Sequence, residues 1–181
     1  ELFIKPYFNN LDISTVKLSS KNKFSFKLNN KFRISDFDLD SEIKLEEILF
    51  PNKMKIKNIF PNIKNNVKFL NHGIKLNYRK NILIINGNGN ILLQENYDKL
   101  TYSINHKDNK YNFKTSTEIN KNPLALNFLN YEKDQDSPMT IRLEGNIEPN
   151  KRIKFNLISL EERRNKFNIK KLIFDKKKVT E

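Results

Sequence analysis

The sequence predicts an all-β fold: an extended, twisted, mainly antiparallel sheet of about ten to twelve short strands, with little or no helix. The first observation is a period of two. Phe24, Phe26 and Leu28 alternate with Ser25 and Lys27, and Ile74, Leu76 and Tyr78 alternate with Lys75 and Asn77. Successive strand side chains point to opposite faces, so each triplet is one apolar face backed by a polar one. Second, no window sustains the i, i+3, i+4 stripe of a helix over three turns. Third, Asn, Asp, Gly and Pro fall between the alternating runs, where turns are needed. Such a sheet either forms an open groove with an apolar inside or closes into a β-sandwich.

Along the chain, a three-residue loop around Asn29-Asn30 would set Leu28 opposite Phe32 and Phe26 opposite Ile34. Phe37 and Leu39 are out of phase with Phe32 and Ile34, which calls for a β-bulge between them. Residues 44–66 carry two prolines, each after Phe, and are expected as an irregular loop or one helical turn between strand groups. Leu100, Tyr102 and Ile104 then face Tyr111 and Phe113 across a two-residue turn at Asp108-Asn109. That register sets Tyr102 opposite Thr115, Ile104 opposite Phe113 and His106 opposite Tyr111, keeping the apolar residues on one face.

Leu124, Leu126 and Phe128 read as a further strand, broken where Leu129 falls out of phase. Ile141, Leu143, Gly145 and Ile147 pair with Ile153, Phe155 and Leu157 across Pro149-Asn150, with Gly145 under the ring of Phe155. Leu157 and Ile158 again break phase. EERRN (161–165) lies between two alternating runs and is expected as a hairpin turn.

The stretch NILIINGNGNILL (81–93) begins like a dinucleotide-binding turn. That fingerprint needs a third glycine three residues after the second, at the start of a helix. Leu92 stands there instead, and another strand-like run follows. Gly87 and Gly89 therefore mark a bend in a strand, as Gly145 does, with Leu83, Ile85, Ile91 and Leu93 on the same face.

No residue is assigned to catalysis, and no metal or cofactor is expected. His72 and His106 stand beside turn residues, without a second His or Cys at ligand spacing, and both are expected on exposed loops. Glu46-Glu47 and Glu161-Glu162 are adjacent, so on strands they face opposite ways and cannot share a substrate. DFDLDSE (36–42) spaces its acids like a calcium loop but lacks the glycine such a loop turns on.

The formal charge of +13 invites a nucleic-acid partner. Lys far outnumbers Arg, however, and the excess of Lys, Asn, Ile and Phe is the residue bias of an AT-rich genome. The aromatics alternate with Lys and so lie on the face opposite the charge, where stacking on bases gains nothing from it. Nucleic acid is not the expected partner. A transmembrane β-barrel is disfavoured by Lys-rich strands and by the lack of Trp for an interfacial girdle. No apolar run approaches the roughly 18–20 residues of a membrane helix. The chain starts at Glu1, and residues 1–181 are expected to be a single β-rich segment of a longer protein.

The succession LNYRKNILIINGNGNILLQENYDKLTYSINHKDNKYNFKTSTEINKNPLALNFLNYEK, then MTIRLEGNI and ISLEERRNKFNIKKLIF, resembles the repetitive β-strand region of AsmA-like proteins. These include the TamB- and YhdP-type proteins of bacterial cell envelopes. The features that carry the likeness are the G-x-G strand, the hairpin after it, the NPLALNFLNYEK strand and the closing LxxxxNKFxIxxL strand. They cover about residues 70–175, and KFRISDFDLDSEIKLEE is similar in style.

The resemblance implies a long twisted sheet folded into an apolar groove. It also implies a periplasmic location, an inner-membrane anchor outside this segment, and a part in moving phospholipid toward the outer membrane. The face expected to meet acyl chains, or to form a closed core, comprises Phe24, Phe26, Leu28, Phe32, Ile34, Ile74, Leu76, Tyr78, Leu100, Tyr102, Ile104, Tyr111, Phe113, Ile141, Leu143, Phe155 and Leu157.

Overall fold

The computed structural model describes residues 15–53, 55–148 and 152–174. Nine strands form one antiparallel sheet: β1 (Thr15–Leu28), β2 (Ile34–Pro51), β3 (Asn66–Arg79), β4 (Ile82–Leu92), β5 (Asp98–Lys107), β6 (Lys110–Ile119), β9 (Met139–Ile147), β10 (Ile153–Glu162) and β11 (Asn165–Phe174). They lie side by side in chain order, so each long strand pairs with the one before it. Between β6 and β9, two-residue strands β7 (Ala125–Leu126) and β8 (Tyr131–Glu132) pair with each other across a 3-10 turn at Asn127–Leu129. The sheet stays open, with β1 and β11 as its edges, and among the described residues no second large sheet covers it. The closed sandwich is not the architecture.

Several strands are longer than expected. β1 has 14 residues and β2 has 18, because β2 runs through Lys44–Pro51, the first part of the stretch expected to be irregular. Those residues pair with β1 on one side and β3 on the other. Pro51 closes the strand, where a missing N–H breaks little of the ladder. Irregular backbone begins at Asn52 and includes a turn in which the Ile59 and Phe60 amides donate to the Ile56 carbonyl at 2.9 Å.

Strand residues in register share a face, so one inserted residue would send every later apolar side chain to the wrong side. Matched bulges solve this. β2 holds an extra residue at Glu46 relative to β1, and β3 holds one at Asn71 relative to β4. The β2–β3 register runs on past both without a shift, so the two bulges lie beside each other. Asn71 adopts φ 53°, which Asn tolerates better than most residues. β10 and β11 repeat the device, with Asn156 extra relative to β9 and Lys171 at φ 60° opposite it. A further bulge in β2, at Asp36 with φ 50°, explains the phase break before Phe37 and Leu39.

The turns follow their chemistry. Asp108 and Asn109 both have positive φ, as do Lys80 and Asn81, the pattern of a two-residue hairpin that matches strand twist. β5 and β6 pair in the expected register, with Tyr102 opposite Thr115, Ile104 opposite Phe113 and His106 opposite Tyr111. Pro149-Asn150 lies outside the described residues. Its flanks pair as expected, Ile147 with Ile153 and Gly145 with Phe155. EERRN is a hairpin turn joining β10 to β11, with Arg163 at φ 53°.

The β1–β2 loop differs from expectation. Leu28 pairs with Ile34, not Phe32, because Asn29 organises a five-residue connection. Its side-chain oxygen accepts from the Lys31 and Arg33 amides, and its carbonyl from the Phe32 amide. Phe32, at φ 53°, is 86% exposed there.

The fully buried core sits at one end of the sheet. The turns at Lys80-Asn81 and Asp108-Asn109 lie at one end, while the long connections 52–65, 93–97 and 120–138 gather at the other, beside the Arg163-Arg164 turn. Leu124 and Leu126, expected on a sheet strand, instead fold down onto Ile119, Met139 and Leu160. Ile59 and Phe60, from the 52–65 connection, pack against this cluster, and the Ala125 amide donates to the Ile59 carbonyl. Polar stitching holds the loops together. The Asn122 amide donates to Asp98 Oδ2 and to the Asn96 carbonyl, both at 2.7 Å, and Gln94 Nε2 donates to the Pro123 carbonyl. Burial raises the pKa of the Asp98 carboxyl, partly offset by its bond from Asn122.

This cap predicts unequal costs along one short segment. Leu124→Ala should lose about 2–5 kcal/mol of unfolding free energy in urea titrations, as a large buried truncation does. Phe128→Ala, at a side chain 70% exposed, should stay within roughly 0.5 kcal/mol of the parent.

Candidate functional site

Following the register across the sheet gives one apolar and one polar face. The apolar face carries Phe24 and Phe26 from β1, Ile74, Leu76 and Tyr78 from β3, and Leu100, Tyr102 and Ile104 from β5. It continues through Tyr111 and Phe113, Ile141 and Leu143, and Phe155. Leu28 and Ile34 extend it at the turn end. All the residues expected on this face are there except two. Phe32 projects from its loop, and Leu157 pairs with Glu144 and Lys170 on the polar face because the Asn156 bulge reverses its direction. Ile158 takes the apolar position instead, opposite Leu143.

Away from the cap this face is only half buried, shielded by neighbouring side chains and not by a second layer. Toward β1 it opens further: Phe24 is 65% exposed, Leu28 54% and Ile34 62%. At the turn end, Phe26, Ile34, Phe37 and Tyr78 line a hollow of about 970 Å³. A second, of about 410 Å³, lies at the capped end between Leu126, Met139, Leu160 and Phe167. The third, about 710 Å³, is a shallow trough across the polar face over Gly73, Asn88 and Thr101.

The glycines of NGNGN are strand residues of β4, and neither has positive φ. The β4–β5 register runs unbroken through both. What they supply is room for rings. Tyr102 lies over Gly87, where a Cβ would fall within its ring, and His72 lies over Gly89, where a Cβ would come within 2.8 Å of the His72 Cα. Gly145 is covered in the same way by Phe113, 2.8 Å from a Cβ position that also meets the Lys154 carbonyl. Aromatic cover on a strand glycine replaces the packing the missing side chain would give. The covering ring is that of Phe113 and not, as expected, that of Phe155, which meets Phe113 edge to face with ring centroids 5.7 Å apart.

Neither histidine is on an exposed loop. His106 lies in β5 and stacks on Tyr111 at 4.2 Å. His72 is 1% exposed, held between Phe69 and Tyr102 with ring centroids at 5.1 and 5.8 Å. The Asn71 bulge turns it inward, and nothing in the local sequence Asn-His-Gly distinguishes that bulge from a turn. Its Nε2 lies 2.9 Å from the Asn90 carbonyl, so Nε2 carries the proton, while the buried Nδ1 meets no donor. Burial pushes the His72 pKa below its ordinary 6.5 and raises that of Tyr102 above the usual phenol range.

On the polar face, cations and anions alternate between strands. Lys114 pairs with Glu144 at 3.1 Å, Arg142 with Glu161 at 2.6 Å and Lys68 with Glu47 at 2.9 Å. Pairs this exposed add little stability each, but they set opposite charges across neighbouring strands. The Arg142 guanidinium holds the Glu161 carboxyl below the usual range.

Fold and site together define a class: an open antiparallel meander with one continuous apolar face, capped at one end. Comparison with protein-family models, curated proteins and solved structures finds no match for this chain.

Two outcomes follow for the rings. Gly145→Ala and Gly89→Ala should each cost roughly 1–3 kcal/mol in urea unfolding, because backbone or a packed ring must shift. Gly73→Ala, whose Cβ would enter open space 4.0 Å from Asn88 Oδ1, should stay within roughly 0.5 kcal/mol. For His72, the folded pKa is the lower one, so the unfolded chain binds the extra proton first. The stability contribution is complete above pH 6.5 and is lost as pH falls from 6.5 through the depressed folded value. His72→Phe keeps the ring, so melting temperatures recorded from pH 7.5 downward should lose this part of their slope. The unpaired Asn90 carbonyl should cost about 1 kcal/mol throughout.

Proposed function

We propose that this chain is a non-enzymatic segment of an AsmA-like envelope protein, and that its apolar face carries phospholipid acyl chains between the inner and outer membranes. The observation that carries the reading is the half-buried apolar face running over nine strands, which no large second sheet covers beyond the cap among the described residues. Acyl chains laid on such a face gain roughly 25 cal/mol per Å² of apolar surface removed from water. The polar face, with its alternating Lys and Glu, stays solvated.

Both edges favour a larger assembly. β1 presents a 14-residue edge with Val16 and Leu18 exposed on the apolar side, and β11 ends with Phe174 exposed. Long apolar edges of this kind invite a further strand. Further strands of a longer chain, tethered to the inner membrane and lying in the periplasm, would lengthen the groove.

The test is photocrosslinking in cells from positions 26, 102 and 113, with positions 75 and 114 on the polar face as controls. Phospholipid adducts should form at the first three and be several-fold weaker at the controls. Equal labelling on both faces, or none, would contradict the proposal.

A further inference from the structure

The hollow at the capped end differs from the rest of the groove, because it holds a buried acid. Glu162 ends β10 on the apolar face, in register with Met139, and is 7% exposed. Its Oε2 accepts the Tyr131 hydroxyl at 2.5 Å, whereas its Oε1 is shut off from solvent and meets no donor. A buried carboxylate oxygen without a partner is costly. The Tyr131 bond gives Oε2 a structural role, but Oε1 gains nothing within the fold.

The surroundings supply what that oxygen lacks on only one side. Leu126, Met139, Leu160 and Phe167 make an apolar wall, while Arg164 stands exposed at the mouth. Arg164 has no ion-pair partner among the described residues, whereas Lys166 lies on the polar face beside Glu161. A single acid inside and a cation at the rim match a ligand with an ammonium beside a phosphate. Leu160 pairs with Ile141, so the wall continues along the apolar face where an attached chain would lie. A volume of about 410 Å³ is within the range of small-ligand sites.

We propose that this hollow is a headgroup site for a zwitterionic amphiphile, one bearing a primary ammonium next to a phosphate, as in phosphatidylethanolamine. The ammonium donates to the Glu162 carboxylate. The phosphate meets Arg164. The inference rests on the lipid-carrying role proposed above and adds headgroup selection at one end of the groove.

The test is calorimetric titration of the whole 181-residue chain with two soluble short-chain phospholipids that share acyl chains, one with an ethanolamine and one with a glycerol headgroup. The ethanolamine lipid should bind about tenfold tighter, which corresponds to about 1.4 kcal/mol. Glu162→Gln should reduce that preference to within about twofold. Arg164→Gln, at an exposed position, should weaken both lipids. Equal affinity of the unmodified chain for the two lipids would overturn the headgroup site and leave the acyl-chain role standing. No binding of either lipid would overturn both. Should Glu162→Gln fail to fold, the headgroup comparison and Arg164→Gln decide the matter without it.

Discussion

Parity is the constraint on which the rest of this structure depends. Because strand side chains alternate, an apolar face nine strands wide needs each register shift inside the sheet answered by another, whereas the Asp36 bulge lies beyond the last β2–β3 pair and needs none. The paired bulges at Glu46 and Asn71, and at Asn156 and Lys171, answer one another in this way. Each crosses two neighbouring strands at one level, so the strands beyond, β1, β4 and β9, continue without an extra residue of their own. Without the Asn71 bulge, Phe69 and His72 would point to opposite sides, and the ring row from Phe50 through Phe69 and His72 to Tyr102 would be broken. The bulge therefore places His72 over Gly89, which links sheet register directly to the surface of the groove.

The two ends of the sheet solve opposite problems. At the turn end, positive-φ pairs such as Lys80-Asn81 reverse the chain in two residues and leave the apolar face open. At the other end, long connections bring Leu124 and Leu126 down onto Ile119, Met139 and Leu160, where the hydrophobic side chains of the core are almost wholly buried. Asn122, fully buried, bonds to Asp98 and Asn96 and so satisfies groups that would otherwise lose water without return. The result is a half-open trough: structural burial is concentrated at the cap, and the remaining apolar surface is available for other uses.

Much of this was legible in the sequence, and the misses share a cause. The β5–β6 hairpin could be read because its turn chemistry and its alternation agree on a single register. Gly87 and Gly89 lie in mid-strand, as the sequence reads, but their service to Tyr102 and His72 depends on partners 15 and 17 residues away in sequence. Alternation alone could not show that Leu124 and Leu126 leave the sheet, because a short apolar run over a cap has the same period as a strand. Leu157 was misplaced because a bulge is visible only as two adjacent apolar residues, and Leu157 and Ile158 are equally good candidates for the inner face. His72 and Phe32 failed for a related reason: an Asn at positive φ makes a strand bulge at position 71, whereas Asn29 organises a surface loop through its side chain.

The central claim is that lipid lies on one face of this sheet only, and aliphatic residues on both faces allow a direct comparison. Methyl NMR with a lysophospholipid carrying a nitroxide on its acyl chain measures which side the chain occupies. Signals from Ile74, Ile85, Leu100 and Leu143, on the apolar face, should broaden strongly, while those from Leu70, Ile84 and Leu157, on the polar face, should be much less affected. Broadening of both sets alike, or of neither, would contradict the account.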